Sequence, residues 1–114
     1  MLDETFAVED GLLVRRVRPR RGTPYEHTCT KEVFDEVAWA IEELGAAPFN
    51  LEALRARLDA PWTQVAVALA FLKERGFVEP ARKRMSRAVE SYSNLDALIE
   101  YHALRERAPG SAQG

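Results

Sequence analysis

Two clusters of basic residues carry the most distinctive chemistry in this sequence. Nine of the 16 lysines and arginines fall in two short stretches, residues 12–23 with five bases and residues 81–90 with four. Neighbouring guanidinium and ammonium groups bind phosphate through charge-assisted hydrogen bonds. The first basic cluster consists of Arg15, Arg16, Arg18, Arg20 and Arg21, and the second basic cluster of Arg82, Lys83, Arg84 and Arg87.

The charge of the remaining chain limits where phosphate could bind. Residues 24–80 hold ten acids and five bases, and the net charge of the whole chain is −2. The total charge therefore does not predict a nucleic-acid partner, whereas its uneven distribution favours one at the two clusters. The alternative is that the arginines pair with the acidic residues of a first helix, which the sequence predicts before Gly45, or with a second copy of the chain.

His27 and Cys29 are the other pair whose types and spacing suit chemistry, because both side chains can bind a metal ion. A structural zinc site needs four ligands, Cys29 is the only cysteine, and His102 is far along the chain. The sequence also has no glycine-rich phosphate loop and no Ser/His/Asp pattern with supporting context. We therefore expect no metal site, no cofactor and no catalytic residues, and predict that the protein is not an enzyme.

Length and composition place the chain in a broad class. At 114 residues it is long enough for one small domain with a single core. It contains no apolar run near the roughly 20 residues of a membrane helix. The acidic start Met-Leu-Asp-Glu does not resemble an export signal, and a single cysteine excludes an internal disulfide. We expect a cytoplasmic protein without a membrane partner.

The first 24 residues favour extended structure. Residues 5–9 and 12–18 flank Asp10-Gly11, a dipeptide suited to a tight hairpin turn. This pattern predicts an N-terminal hairpin, and a loosely attached arm is the alternative. Two prolines and a glycine in residues 19–24 indicate an irregular connector.

Helix signals dominate from there onward. Thr28 or Thr30 can cap a first helix that ends at Gly45, and Asn50 can cap a short second helix. Apolar spacing in residues 61–75 predicts a third helix ending at Gly76. Residues 77–79 and 85–90 are strand candidates around a basic loop. Ser93 or Asn94 can cap a last helix.

The stretch of residues 61–78, with its amphipathic helix followed by Gly76-Phe77-Val78, resembles the third helix and first wing strand of winged helix-turn-helix domains. The resemblance covers residues 30–91 and is to the superfamily, without a specific family. It implies a mainly α fold with a small β wing. The implied units are an N-terminal arm or hairpin (1–24), a three-helix core with a β-hairpin wing (25–92), a C-terminal helix (93–108) and a disordered tail (109–114).

The same resemblance implies a DNA-binding regulator. In winged-helix regulators the third helix enters the major groove and the wing touches phosphate. The positions that match the groove-facing side include two base-reading side chains, Thr63 and Gln64, followed by apolar or acidic residues. Thr63 and Gln64 are therefore the expected base contacts, with both basic clusters contacting phosphate in double-stranded DNA.

Apolar residues on the outward side of the third helix need a cover. Val67 and Phe71 would be covered by the C-terminal helix, by the N-terminal hairpin or by a second copy of the chain. We predict a homodimer whose interface includes Val67, Phe71 and a stripe of the last helix formed by Leu95, Leu98, Ile99 and His102. The alternatives are that the last helix folds back on the first, and that the protein is an interaction or assembly module that does not read DNA.

Overall fold

A three-stranded antiparallel sheet leads the chain, and four helices follow it. The computed structural model describes residues 3–107. The sheet has the order β1 (Asp3–Glu9), β2 (Leu12–Arg18), β3 (Tyr25–Thr30). The helices are α1 (Lys31–Leu44), α2 (Leu51–Arg57), α3 (Trp62–Glu74) and α4 (Asn94–Glu106). Between α3 and α4 lies a two-stranded antiparallel hairpin of β4 (Val78–Pro80) and β5 (Ser86–Ala88).

The N-terminal hairpin forms where the sequence predicts it. Glu9 pairs with Leu12 across a two-residue turn, in which Asp10 and Gly11 both have positive φ, 52° and 77°. Such a turn matches the right-handed twist of the strands, and both Asp and Gly tolerate that conformation. The sequence did not predict β3, which pairs with β2 from Tyr25 to Thr30 and makes the hairpin a sheet.

Side-chain caps fix where three of the helices begin. The Thr30 hydroxyl accepts the Val33 N–H, the Asn50 side chain accepts the Ala53 N–H, and the Ser93 hydroxyl accepts the Asp96 N–H. These hydrogen bonds satisfy donors that have no partner inside the helix. The cap predicted at Asn50 is confirmed, and of the alternatives left open, Thr28 or Thr30 and Ser93 or Asn94, the caps are Thr30 and Ser93.

Helix α3 lies between α1 and the sheet and forms the centre of the core. Its buried residues occupy most of its circumference: Val65, Val67, Ala68, Leu69, Phe71 and Leu72. The sheet contributes Val8, Leu13 and Cys29 to the same apolar cluster. Phe71 contacts Phe6 of β1 and Phe34 of α1, with ring centroids 5.4 and 5.7 Å apart. Strands and helices therefore share one core.

The predicted fold class, a mainly α winged helix-turn-helix with a small β wing, is wrong. The protein is a small α+β domain in which three antiparallel strands precede the helices and cover one side of α3. The error has a physical origin. Residues 25–30 contain two candidate helix caps, Thr28 and Thr30, and this local signal favours a helix start, although the segment forms the third strand. The predicted tail, residues 109–114, lies outside the described residues.

Helix α4 folds back on α1 and β1. Its inner side buries Ala97, Tyr101 and Leu104, and the Tyr101 ring lies 5.1 Å from that of Phe34. The Asn94 N–H donates to the Glu42 carboxylate at 2.7 Å, which ties the start of α4 to the end of α1. None of the helices in residues 3–107 is both long and apolar enough to cross a membrane.

Candidate nucleic-acid interface

Two members of the first basic cluster are held by carboxylates. On the outer face of the sheet, the Arg16 guanidinium donates to both oxygens of Glu9 at 2.7 and 2.8 Å and to Glu26 at 3.0 Å. The hydrogen bonds that Arg16 donates to Glu9 and Glu26 raise the pKa of Arg16, and the hydrogen bond accepted from Arg16 lowers the pKa of the Glu9 carboxyl. Arg15 pairs with Glu4. These two arginines therefore link the strands of the sheet.

The other three members of the first basic cluster remain exposed. Arg18 ends β2, and Arg20 and Arg21 lie in the connector of residues 19–24 that leads to β3. Within residues 3–107 none of the three forms an ion pair. Their positive charges therefore point to solvent and are available to an external anion.

The second basic cluster also contains both ion-paired and unpaired residues. Arg87 of β5 donates to Glu79 of β4 at 2.9 Å. Arg82, Lys83 and Arg84 occupy a single 3-10 turn between the two strands and are exposed. The described part of the chain offers none of these three an ion-pair partner. Three unbalanced positive charges therefore lie on three consecutive residues.

This turn, Arg82–Arg84, is called the basic turn below, and its backbone conformation is uncommon for residues other than glycine. Lys83 and Arg84 have φ values of 55° and 63°, in the left-handed region that favours glycine. A non-glycine residue there costs about 1–2 kcal/mol. The turn is closed by hydrogen bonds from the Ala81 N–H to Met85 O at 2.8 Å and from the Met85 N–H to Arg82 O at 3.1 Å. The sequence retains two long cations where glycine would relieve strain.

The two exposed groups of cations border different clefts. Arg84 lines one cleft together with Glu4 and Arg15 of the sheet and Lys73 and Glu74 of α3. Arg18 lines another cleft with Asp3, Arg16 and Glu26. Since residues three apart in a strand point to opposite faces of the sheet, Arg15 and Arg18 face different sides.

The predicted base-reading residues of α3 have different environments. Thr63 is exposed in the first turn. Gln64 is half-buried, and its side-chain oxygen accepts the backbone N–H of Thr30 at 3.0 Å, which joins α3 to the junction of β3 and α1. One of the two expected base contacts thus has a structural role that the sequence did not indicate.

The exposed apolar face predicted on α3 is absent from the described structure. Val67 and Phe71 are fully buried, because the N-terminal sheet packs over this side of the helix. The N-terminal hairpin was one of the three covering elements considered. The prediction that Val67 and Phe71 form an intermolecular interface is therefore wrong, and both residues belong to the core.

The predicted stripe on the C-terminal helix is partly open to solvent. Leu95 and Ile99, one turn apart on α4, are 66% and 64% exposed, whereas Leu98 and His102 are half-buried. Two further exposed aromatic residues, Trp39 (54%) on α1 and Trp62 (50%) at the start of α3, were not among the predicted site residues. Acids lie three and four residues before and after Trp39, which places it on the acidic side of α1 and was the available sequence signal for its exposure.

His27 and Cys29 do not form a site together. Cys29 is fully buried in the core, while His27 is exposed and stacks at a tilt on Tyr25, with ring centroids 5.1 Å apart. Burial raises the pKa of the Cys29 thiol to about 12, which makes it a poor nucleophile and a poor metal ligand. Across residues 3–107 no group of three or more His, Cys, Asp or Glu side chains could hold a metal ion.

No protein-family model matches the chain, and neither a curated protein nor a solved structure is significantly similar to it.

Proposed function

We propose that this protein binds double-stranded DNA through phosphate contacts from two loops and acts as a small regulator in the cytoplasm. The observation that carries the proposal is a set of six exposed cations without ion-pair partners in the described residues, three at the end of β2 and in the connector after it and three in the turn between β4 and β5: Arg18, Arg20, Arg21, Arg82, Lys83 and Arg84. The choice of DNA over other polyanions follows only the sequence resemblance of residues 30–91 to DNA-binding domains, which stays a prediction, and the proposal does not depend on the winged-helix fold class that the structure overturns.

The arrangement supports binding that depends little on DNA sequence. Phosphate contacts position a protein on the duplex, whereas base-edge contacts specify the sequence. Most of α3 is buried, and the Gln64 side chain is hydrogen-bonded to the Thr30 backbone. Of the two predicted base-reading residues, Thr63 is therefore the one whose side chain forms no hydrogen bond within residues 3–107. The exposed acids on α1, such as Glu32, Glu36 and Glu43, repel DNA and favour approach by the loops that carry the exposed cations.

Removing the charge of the basic turn tests the proposal. The triple variant Arg82→Ala, Lys83→Ala, Arg84→Ala should bind a random-sequence duplex more weakly, and the slope of log affinity against log salt should fall by up to about 3. A matched control, Arg55→Ala, Arg105→Ala, Arg107→Ala, removes the same charge from exposed positions outside both clusters that form no ion pair within residues 3–107. Equal duplex affinity and salt slope for the two triple variants would refute a role for the turn.

A second function, self-association through α4, is favoured by the exposure of Leu95 and Ile99. Burying two large apolar side chains one turn apart on a helix favours symmetric pairing with a second copy. This face would also serve the alternative function, a protein-interaction module that does not bind DNA. In either case α4, and not the buried face of α3, provides the contact.

The mass of the protein in solution tests self-association. Sedimentation equilibrium should give a dimer for the wild-type chain and a monomer for Leu95→Ala, Ile99→Ala. Trp62→Ala, which removes a half-exposed apolar side chain from α3, should leave the dimer intact. A monomeric wild-type chain at concentrations up to a millimolar would contradict the homodimer.

A further inference from the structure

A cleft of about 670 Å³ lies between the sheet, the start of α2, α3 and the β4–β5 hairpin. Its volume is in the range of about 300–1,000 Å³ that small-molecule sites occupy. The apolar part of its lining consists of two residues with small side chains and two leucines: Ala66, Ala70, Leu51 and Leu69. The small alanine side chains leave room above α3 for the carbon chain of a ligand.

More cationic than anionic side chains line this cleft. Glu4 is paired with Arg15, and Glu74 is paired with Arg75 at 3.1 Å. Lys73 and Arg84 also line the cleft, are exposed, and have no ion pair with any residue from 3 to 107. Two uncompensated cations thus accompany a partly apolar lining, while both acids already have cationic partners.

From this combination we propose that the cleft binds a small organic monocarboxylate with an apolar chain. The carboxylate is held by Lys73 and Arg84, and the chain lies along Ala66 and Ala70 of α3. A carboxylate presents two acceptor oxygens to the five donors of a guanidinium and the three donors of an ammonium. Inorganic anions satisfy the cations but leave the alanine surface in contact with water, so the apolar chain adds affinity.

Ligand binding would regulate the DNA contact, an inference that rests on the proposed function. Arg84 belongs both to the cleft and to the exposed basic turn. A carboxylate that neutralises Arg84 removes one cation from those available to phosphate. Duplex affinity therefore falls when ligand is bound, and the salt slope decreases by about 1.

Titration of the isotope-labelled chain with octanoate, followed by amide chemical shifts, tests the cleft without DNA. Octanoate should saturate shifts at residues of α3 and the basic turn, and acetate and octylammonium should bind at least fivefold more weakly. Lys73→Ala should weaken octanoate binding about fivefold, and Arg55→Ala, which removes an exposed cation that does not line the cleft, should not. Absence of saturable shifts, or equal binding of octanoate and octylammonium, would overturn the proposal.

A duplex titration with and without saturating octanoate tests regulation separately. Weaker duplex binding and a smaller salt slope with octanoate would support it. Octanoate binding that leaves a measurable duplex affinity unchanged would overturn the coupling. If octanoate binds as predicted but no duplex binds at low salt, the monocarboxylate site stands and the proposed DNA function fails.

Discussion

The Phe71 ring of α3 meets the Phe6 ring of β1 edge to face, with centroids 5.4 Å apart and planes at 75°. Aromatic pairs prefer this geometry, which adds about 0.5–1.5 kcal/mol to the burial of both side chains. Through this contact the N-terminal strand covers the side of α3 that the sequence suggested would face a partner. The availability of α3 to DNA is therefore limited by the sheet.

Shortening Phe71 tests whether the sheet covers α3. Phe71→Ala should lower the free energy of unfolding by about 3–5 kcal/mol, because it removes a large buried side chain that contacts strand and helix. Trp62→Ala, at a half-exposed position outside the proposed α4 interface, should cost clearly less than Phe71→Ala. Urea unfolding at a protein concentration that keeps both chains in one oligomeric state measures the difference. Equal costs would contradict the packing of the sheet on α3.

Gln64 should affect stability more than DNA binding. Gln64→Ala leaves the Thr30 N–H without its side-chain acceptor and should cost about 1 kcal/mol in urea unfolding. Its duplex affinity should stay within twofold of the wild-type value. The neighbouring exposed residue provides the control, since Thr63→Ala should leave stability unchanged. A large loss of duplex affinity in Gln64→Ala, with stability intact, would show that Gln64 reads bases after all.

Glycine substitutions at Lys83 and Arg84, which have left-handed backbone conformations, test the role of the two charges without adding backbone strain. Lys83→Gly, Arg84→Gly relieves the strain at φ 55° and 63° but increases the entropy of the unfolded chain. These opposing effects should keep the free energy of unfolding within about 1 kcal/mol of the wild-type value. Duplex affinity should nevertheless fall, with a salt slope smaller by up to about 2. Unchanged affinity in this variant would show that the strained cations do not contact phosphate.

Burial of Cys29 predicts a loss of stability at alkaline pH. The thiol keeps its proton up to about pH 12 in the folded chain, while an unfolded thiol loses it near a pKa of about 8.5. Above that lower pKa the unfolded state binds fewer protons, so the free energy of unfolding falls as pH rises, by up to about 1.4 kcal/mol per pH unit. Urea unfolding at pH 9 and pH 10 should show this fall in the wild-type chain. Cys29→Ala should lack this contribution, and identical slopes would contradict burial of the thiol.

The sequence predicted individual elements better than their arrangement. Local signals such as the Asn50 cap and the Asp10-Gly11 turn depend on neighbouring residues, and the sequence predicted both elements; for the first and last helices it narrowed the cap to two residues each, and the structure selects Thr30 and Ser93. The packing of Phe6 on Phe71 joins residues 65 positions apart, and no local pattern reports such a contact. The sequence did not predict strand β3 because Cys29 is its only buried residue, so the strand has no apolar alternation.

The candidate site also has features that depend on local sequence and features that depend on long-range packing. Both basic clusters are visible in the composition, but the ion pairs that remove Arg15, Arg16 and Arg87 from the available charge depend on strand register. Glu9 and Arg16 meet only because β1 pairs with β2 in the observed register. Composition therefore overstated the number of cations available to phosphate, and the structure reduces it from nine to six.

Binding of the wild-type chain to a random-sequence duplex, titrated across salt concentration, tests the central claim most directly. Six available cations predict measurable binding at low salt and a log–log slope whose magnitude does not exceed about 5 per chain. A duplex affinity that falls steeply with salt would support phosphate contact by the two loops. No binding at 10–20 mM salt, or affinity independent of salt, would contradict the account.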